Sequence, residues 1–271
     1  MTGLRGGATR GYVTVPWGQA HYRTAGDEGA PTVLLLHQSP LSSATYEPVL
    51  PLLAARGVRA VAPDTAGYGL SDAPPAVWSI PEYAHAVWTV ADALGLGRVV
   101  LLGQHTGAVI AAEAARQAPS RVAGLVFQGL PLYSAQERAE KMRSWAPGYS
   151  PAADGSHLAH VWSRIHGLYP GIGLESADRQ VLEYLCVGPD YGPGYRAVFA
   201  HEVDVTALGA LPTLLLQGEH DLVARMDDVV TAALPHARLV PIAGGTDFAH
   251  EEFPEAFADA LAGFVHAPAA A

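Results

Sequence analysis

The chain has 271 residues, 49% of them hydrophobic and only 15% charged, a formal net charge of −10 and one cysteine, Cys186. The acidity argues against nucleic acid or an anionic membrane surface as partner and points to a small organic molecule. One cysteine excludes an internal disulfide, the start is polar, and no stretch approaches the roughly 18 apolar residues of a membrane span, so a soluble cytoplasmic protein is expected.

In chain order, residues 12–15 and 19–24 alternate around Pro16-Trp17-Gly18 as a hairpin would. Apolar runs of strand length follow at 32–36, 58–62, 99–102, 122–127, 213–216 and 238–241. Helical periodicity predicts helices between them at 43–56, 80–96, 107–117, 226–234 and 254–265. Strands alternating with helices give an α/β fold, a mostly parallel, doubly wound sheet. The rhythm breaks at 131–211, where helical patterns at 135–144, 157–166, 176–185 and 195–203 have no strand between them. The expected organisation is a core of 1–130 and 212–271 carrying a helical cap at 131–211. The Ala-rich end, 268–271, is expected to fray.

Gly103-Gln104-His105-Thr106-Gly107 stands between the apolar run 99–102 and a helix-forming stretch. This is the G-x-S-x-G frame of a strand–turn–helix elbow with histidine at its centre. Whatever side chain sits there is raised at the carboxyl edge of the sheet, beside free helix N–H groups.

Three more motifs follow in order: Leu36-His37-Gln38-Ser39-Pro40 looks like an H-G-x-P loop, Asp64-Thr65-Ala66-Gly67-Tyr68-Gly69-Leu70-Ser71-Asp72 like D-x-x-G-x-G-x-S-D, and Gly218-Glu219-His220-Asp221 like a G-x-x-D segment. With the elbow they make the chain resemble the α/β-hydrolase superfamily, in its capped, haloalkane dehalogenase/esterase-like branch, over nearly its whole length. The resemblance implies Asp221 as the catalytic acid, and backbone N–H groups of Thr106 and Ser39 as an oxyanion hole. It also implies a catalytic histidine in the stretch 245–255, where aligning Phe248 and Pro254 puts Asp247 instead.

Serine, histidine and aspartate are thus replaced by His105, Asp247 and Asp221. We read this as a swapped His–Asp pair, with Asp247 orienting His105 as a general base. The alternative is that His250 swings back into the base position. His37 reads as a brace and His220 as a wall residue. Gln38, Gln104, Trp145, Trp162 and Phe248 are expected to line the substrate pocket.

The leading expectation is cofactor-independent proton transfer (cyclisation, decarboxylation, elimination or isomerisation) on a ketone-bearing or aromatic substrate. Hydrolysis of an ester or lactone by His-activated water, and a silent ligand-binding protein, are the alternatives. No cofactor is expected. His157 and His160 share a helix face, but Asp154 is the only acid near them, so no metal is expected there. A homodimer is left open.

Overall fold

The computed structural model describes residues 7–209 and 211–267, so the 268–271 tail lies outside the described residues. Eight strands, β1 (Thr9–Val15), β2 (Gly18–Ala25), β3 (Thr32–Leu36), β4 (Arg59–Pro63), β5 (Val99–Gln104), β6 (Val122–Gln128), β7 (Thr213–Gly218) and β8 (Arg238–Ile242), form one sheet in the order β1-β2-β4-β3-β5-β6-β7-β8. The β1–β2 and β2–β4 pairs are antiparallel and all others parallel.

The apolar runs are continuous because both faces are covered. On β3, Val33 and Leu35 pack with Leu50 and Leu53 of α1 (Leu50–Ala55) and Phe257 and Leu261 of α10 (Pro254–Val265). Leu34 and Leu36 pack on the other face with Ile80 and Tyr83 of α2 (Ile80–Ala93) and Val109 and Ile110 of α3 (Thr106–Gln117).

The helix predicted at 43–56 is two pieces: a short 3-10 turn at Ser43–Tyr46, and then α1. Pro48 and Pro51 lack the N–H groups that a continuous helix would need there.

Between β6 and β7 stand four helices, α4 (Ala135–Ser144), α5 (Ser156–Leu168), α6 (Leu174–Val187) and α7 (Pro193–Ala200), with no strand among the described residues. Of these, α5 and α6 seat on the core through a cluster in which Val161, Ile165, Tyr169, Ala177, Tyr184 and Tyr191 meet Leu41 and Phe248, while α7 puts Ala197, Val198 and Phe199 into the cluster shared with α2 and α3. The remaining helices, α8 (Asp227–Ala233) and α9 (Ala249–Glu252), flank β8. Among the described residues no helix is long and apolar enough to cross a membrane.

The order β4-β3-β5 reverses the winding at β3. The loops leaving β3 and β5 therefore open a crevice at the carboxyl edge, the place where such sheets bind ligands.

Candidate functional site

His105 is the only non-glycine residue with positive φ among the described residues, at φ 47° and ψ −107°. Its N–H donates to the Gln128 carbonyl at 3.0 Å, and its own carbonyl accepts from Ala108 and Val109 as α3 begins. The glycines on either side are required by contact. A Cβ on Gly107 would lie 2.0 Å from the Leu36 carbonyl oxygen, and one on Gly103 would lie 2.2 Å from that of Gly107. The helix is pressed against the sheet too closely for any side chain at those positions, and the turn lifts the imidazole into the crevice.

The ring reaches two carboxylates. Its Nε2–H donates to Asp221, 2.9 Å from Oδ2 and 3.1 Å from Oδ1, and Asp247 Oδ1 is 3.4 Å away. The close partner is thus Asp221, with Asp247 second, where the sequence led us to expect Asp247 as the orienting group. The reason is length: an imidazole on the elbow reaches much farther than a serine hydroxyl, and the short Asp247 leaves it the space to do so. Asp221 is fixed by a turn, its Oδ1 accepting from the Val223 N–H at 2.8 Å. Among the described residues none hydrogen-bonds the other ring nitrogen, Nδ1, and the His105 side chain keeps 15% of its surface exposed.

Charge follows from this geometry. Burial disfavours the imidazolium, but the Asp221 charge and hydrogen bond, with Asp247 behind them, outweigh it and push His105 up to about 9. The Asp247 carboxyl is driven upward, by burial first and then by repulsion from Asp221, against the pull of His105. At neutral pH His105 is a charged donor, and it becomes a base only as the pH nears 9.

His250 does not swing back toward the elbow. It is fully buried, Gln128 Nε2 donates to its Nδ1 at 3.0 Å, and its Nε2–H donates to Thr45 Oγ1 at 2.7 Å, because the Thr45 hydroxyl is itself donated to Glu251. Burial, aided by Arg179, pulls its pKa down to about 3, so it stays a neutral brace. His37 is likewise a brace, donating from Nδ1 to the Gln38 carbonyl and accepting from the Thr65 N–H at Nε2, both at 2.9 Å. His220 is exposed.

Several expected pocket residues have other neighbours. Gln104 is fully buried and donates to the Asp247 carbonyl at 2.7 Å, holding the loop that carries this carboxylate. Trp145 lies under Lys141, whose Nζ is 3.8 Å from its ring, and meets Tyr195 edge-on, while Trp162 packs on His166 at 4.5 Å. These tryptophan contacts stay within the insertion: Lys141 lies one turn before Trp145 on α4, Tyr195 is on α7, and His166 is one turn along α5 from Trp162. Phe248 is 2% exposed and meets Tyr169 edge-on at 4.9 Å, and Gln38 is buried and also contacts Tyr169. Thr106 opens α3, so its N–H has no intrahelical acceptor, and buried Ser39 contacts Tyr68.

Sequence reasoning missed a glutamine layer under the site. Gln104 and Gln128 end β5 and β6 side by side, and Gln217 stands one residue from the end of β7. Gln128 also donates to the Asp247 carbonyl, at 2.8 Å, and Gln217 Oε1 accepts from the Gly129 N–H at 2.8 Å. Gly129 was missed as well: a Cβ there would lie 2.4 Å from His105 Cδ2, so only glycine admits the ring. Glutamine closing three apolar strands was the available signal. We expect Gln128→Leu to destabilise the protein by about 1–3 kcal/mol in chemical denaturation, because it strips donors from His250 and the Asp247 loop. An unchanged midpoint would contradict the bracing role.

His105 Nε2, one Asp221 oxygen and Asp247 Oδ1 all lie within 4.8 Å of one another, a donor set that a cation could use. A separate groove of about 620 Å³ in the insertion, lined by Tyr149, His157, His160, Asp190 and Arg196 among others, contains none of the three.

The sequence profile of the alpha/beta hydrolase fold matches residues 31–254. Among known proteins, "Haloalkane dehalogenase 2" of Mycobacterium tuberculosis is 29% identical over 265 residues, covering 90% of each chain. A haloalkane dehalogenase of Mesorhizobium japonicum is 38% identical over 106 residues, 39% of this chain and 34% of that protein. Among solved structures, a hydrolase from Pseudomonas aeruginosa superposes with a TM-score of 0.78 at 22% identity, covering 96% of this chain and 99% of that one. An epoxide hydrolase from Vigna radiata gives 0.77 at 21%, covering 95% and 98%. The profile spans the elbow, the insertion and the Asp221 and Asp247 loops, and the chain belongs to the alpha/beta hydrolase fold family.

Proposed function

We propose that the protein hydrolyses a small organic substrate with water activated by His105, without a covalent enzyme intermediate. The observation that carries this reading is the elbow itself. It holds an imidazole bound through Nε2 to Asp221, 2.9 Å away, at the central position that serine takes in a G-x-S-x-G frame. The names of the relatives, haloalkane dehalogenase and epoxide hydrolase, support hydrolysis as the reaction class. The enolate-forming chemistry expected from sequence would use the same nitrogen but has no counterpart in those names.

In the base form, Nε2–H stays on Asp221 and Nδ1 carries the lone pair. Nδ1 takes a proton from water as the water oxygen bonds to the electrophilic carbon. For a carbonyl substrate, the displaced electron pair goes to the oxygen, facing the N–H groups of Thr106 and Ser39. Collapse of that intermediate expels the leaving group, which takes the proton from Nδ1–H.

Because His105 is held at about 9, only its deprotonated fraction is a base. kcat/KM is expected to rise about tenfold per pH unit from neutrality and to level near pH 9. A panel of activated esters, lactones and haloalkanes, assayed from pH 6 to 10 with wild type and His105→Ala, tests this. A profile already flat at pH 7, or turnover undiminished in the variant, would overturn the reading.

A further inference from the structure

We infer that His105, Asp221 and Asp247 form a binding site for one divalent transition-metal ion. The cluster offers one nitrogen and two carboxylate oxygens from three different loops, after β5, β7 and β8. Such a set suits borderline ions such as Zn²⁺, because the imidazole disfavours hard cations and the lack of sulfur disfavours soft ones.

The independent observation is Asp247. Its side chain is 2% exposed, and its Oδ1 has no hydrogen-bond partner although it is fully buried and aimed at His105 Nε2. A buried, unsatisfied carboxylate oxygen costs free energy, and a cation is one of the few groups that would satisfy it. The spacing fits at Asp247, while Asp221, now at hydrogen-bond distance from Nε2, would have to move back by about 0.4 Å to share one ion. Ligands at about 2.0–2.2 Å from a tetrahedral ion stand roughly 3.3–3.6 Å apart. Here Nε2 is 3.4 Å from Asp247 Oδ1 and 2.9 Å from Asp221 Oδ2. Binding releases one proton from Nε2 to solvent and forms a coordinate bond in its place, leaving Nδ1–H as a donor.

The inference goes beyond the hydrolytic reading and is independent of it, since its readout is binding to the metal-free protein and not turnover. Chelator-treated protein is titrated with Zn²⁺ by calorimetry, and thermal scans confirm that each variant is folded. Wild type is expected to bind one ion. Asp247→Asn, which keeps volume but removes the ligand charge, and His105→Ala are each expected to weaken binding at least about tenfold. A His157→Ala/His160→Ala double variant, which alters the groove in the insertion, is expected to bind as wild type does. Absence of saturable binding, binding that survives Asp247→Asn, or loss of binding in the double variant would overturn the assignment.

Discussion

Replacement of His105 by alanine is expected to lower kcat/KM by about 10²–10⁴-fold, the usual contribution of a positioned acid–base group and equivalent to about 2.7–5.4 kcal/mol of transition-state stabilisation. Asp221 and Asp247 would remain, but neither could replace Nδ1 at the crevice. Serine at position 105 is expected to fail as well, because Asp247 stands where the resemblance would put the base and His250 has both ring nitrogens engaged. Steady-state kinetics on the best substrate of the panel, with circular dichroism to confirm folding, measures this. A loss smaller than threefold in His105→Ala would remove the residue from the chemistry.

The second large effect concerns the frame and not the side chain within it. In Gly107→Ala the new methyl would have to sit 2.0 Å from the Leu36 carbonyl oxygen and 2.6 Å from its carbon. Both belong to the central strand β3, so neither can move aside as a flexible side chain would. The α3 helix must instead withdraw from the sheet, disturbing the packing of Val109 and Ile110 on Leu34 and Leu36. We expect a loss of about 3 kcal/mol, at the upper end of overpacking costs, or failure to accumulate folded protein. Denaturation midpoints settle it, and a change below about 0.5 kcal/mol would mean that the elbow tolerates far more slack than its contacts suggest.

The two outcomes separate what the sequence revealed from what it concealed. Gly103 and Gly107 were legible because a tight strand–turn–helix needs glycine at a fixed spacing, whatever stands between them. The alternation of apolar strands with amphipathic helices was legible because a sheet covered on both faces has to be continuously apolar. Identifying the partner of His105 was harder. The resemblance implied that Asp221 and Asp247 stand near one imidazole, but which carboxylate lies closer depends on how far that ring extends, a matter of three-dimensional reach. The tension at 43–56 was local: the apolar pattern suggested a helix, and Pro48 and Pro51 divided it.

The glutamines were harder still. Gln104, Gln128 and Gln217 lie far apart in the chain and meet only because β5, β6 and β7 are neighbours in register. For Trp145 and Trp162 the sequence showed aromatic residues in the insertion but not their neighbours, which are Lys141 and Tyr195 for the first and His166 for the second.

The His105 charge also enters stability. A histidine whose pKa is higher in the folded than in the unfolded chain stabilises the fold fully below its ordinary value of about 6.5, and loses that contribution as pH rises through about 9. The same titration governs the proposed chemistry, because it sets when Nδ1 can accept a proton. The most direct test of the account is therefore the titration of the histidine ring nitrogens by nitrogen-15 NMR, in wild type and in Asp221→Asn. The account predicts a wild-type His105 resonance with its midpoint near 9 that moves down toward the ordinary histidine value in the variant. A wild-type midpoint near 6.5 that is indifferent to Asp221→Asn would show that the elbow imidazole is not held by this carboxylate, and would contradict the account at its centre.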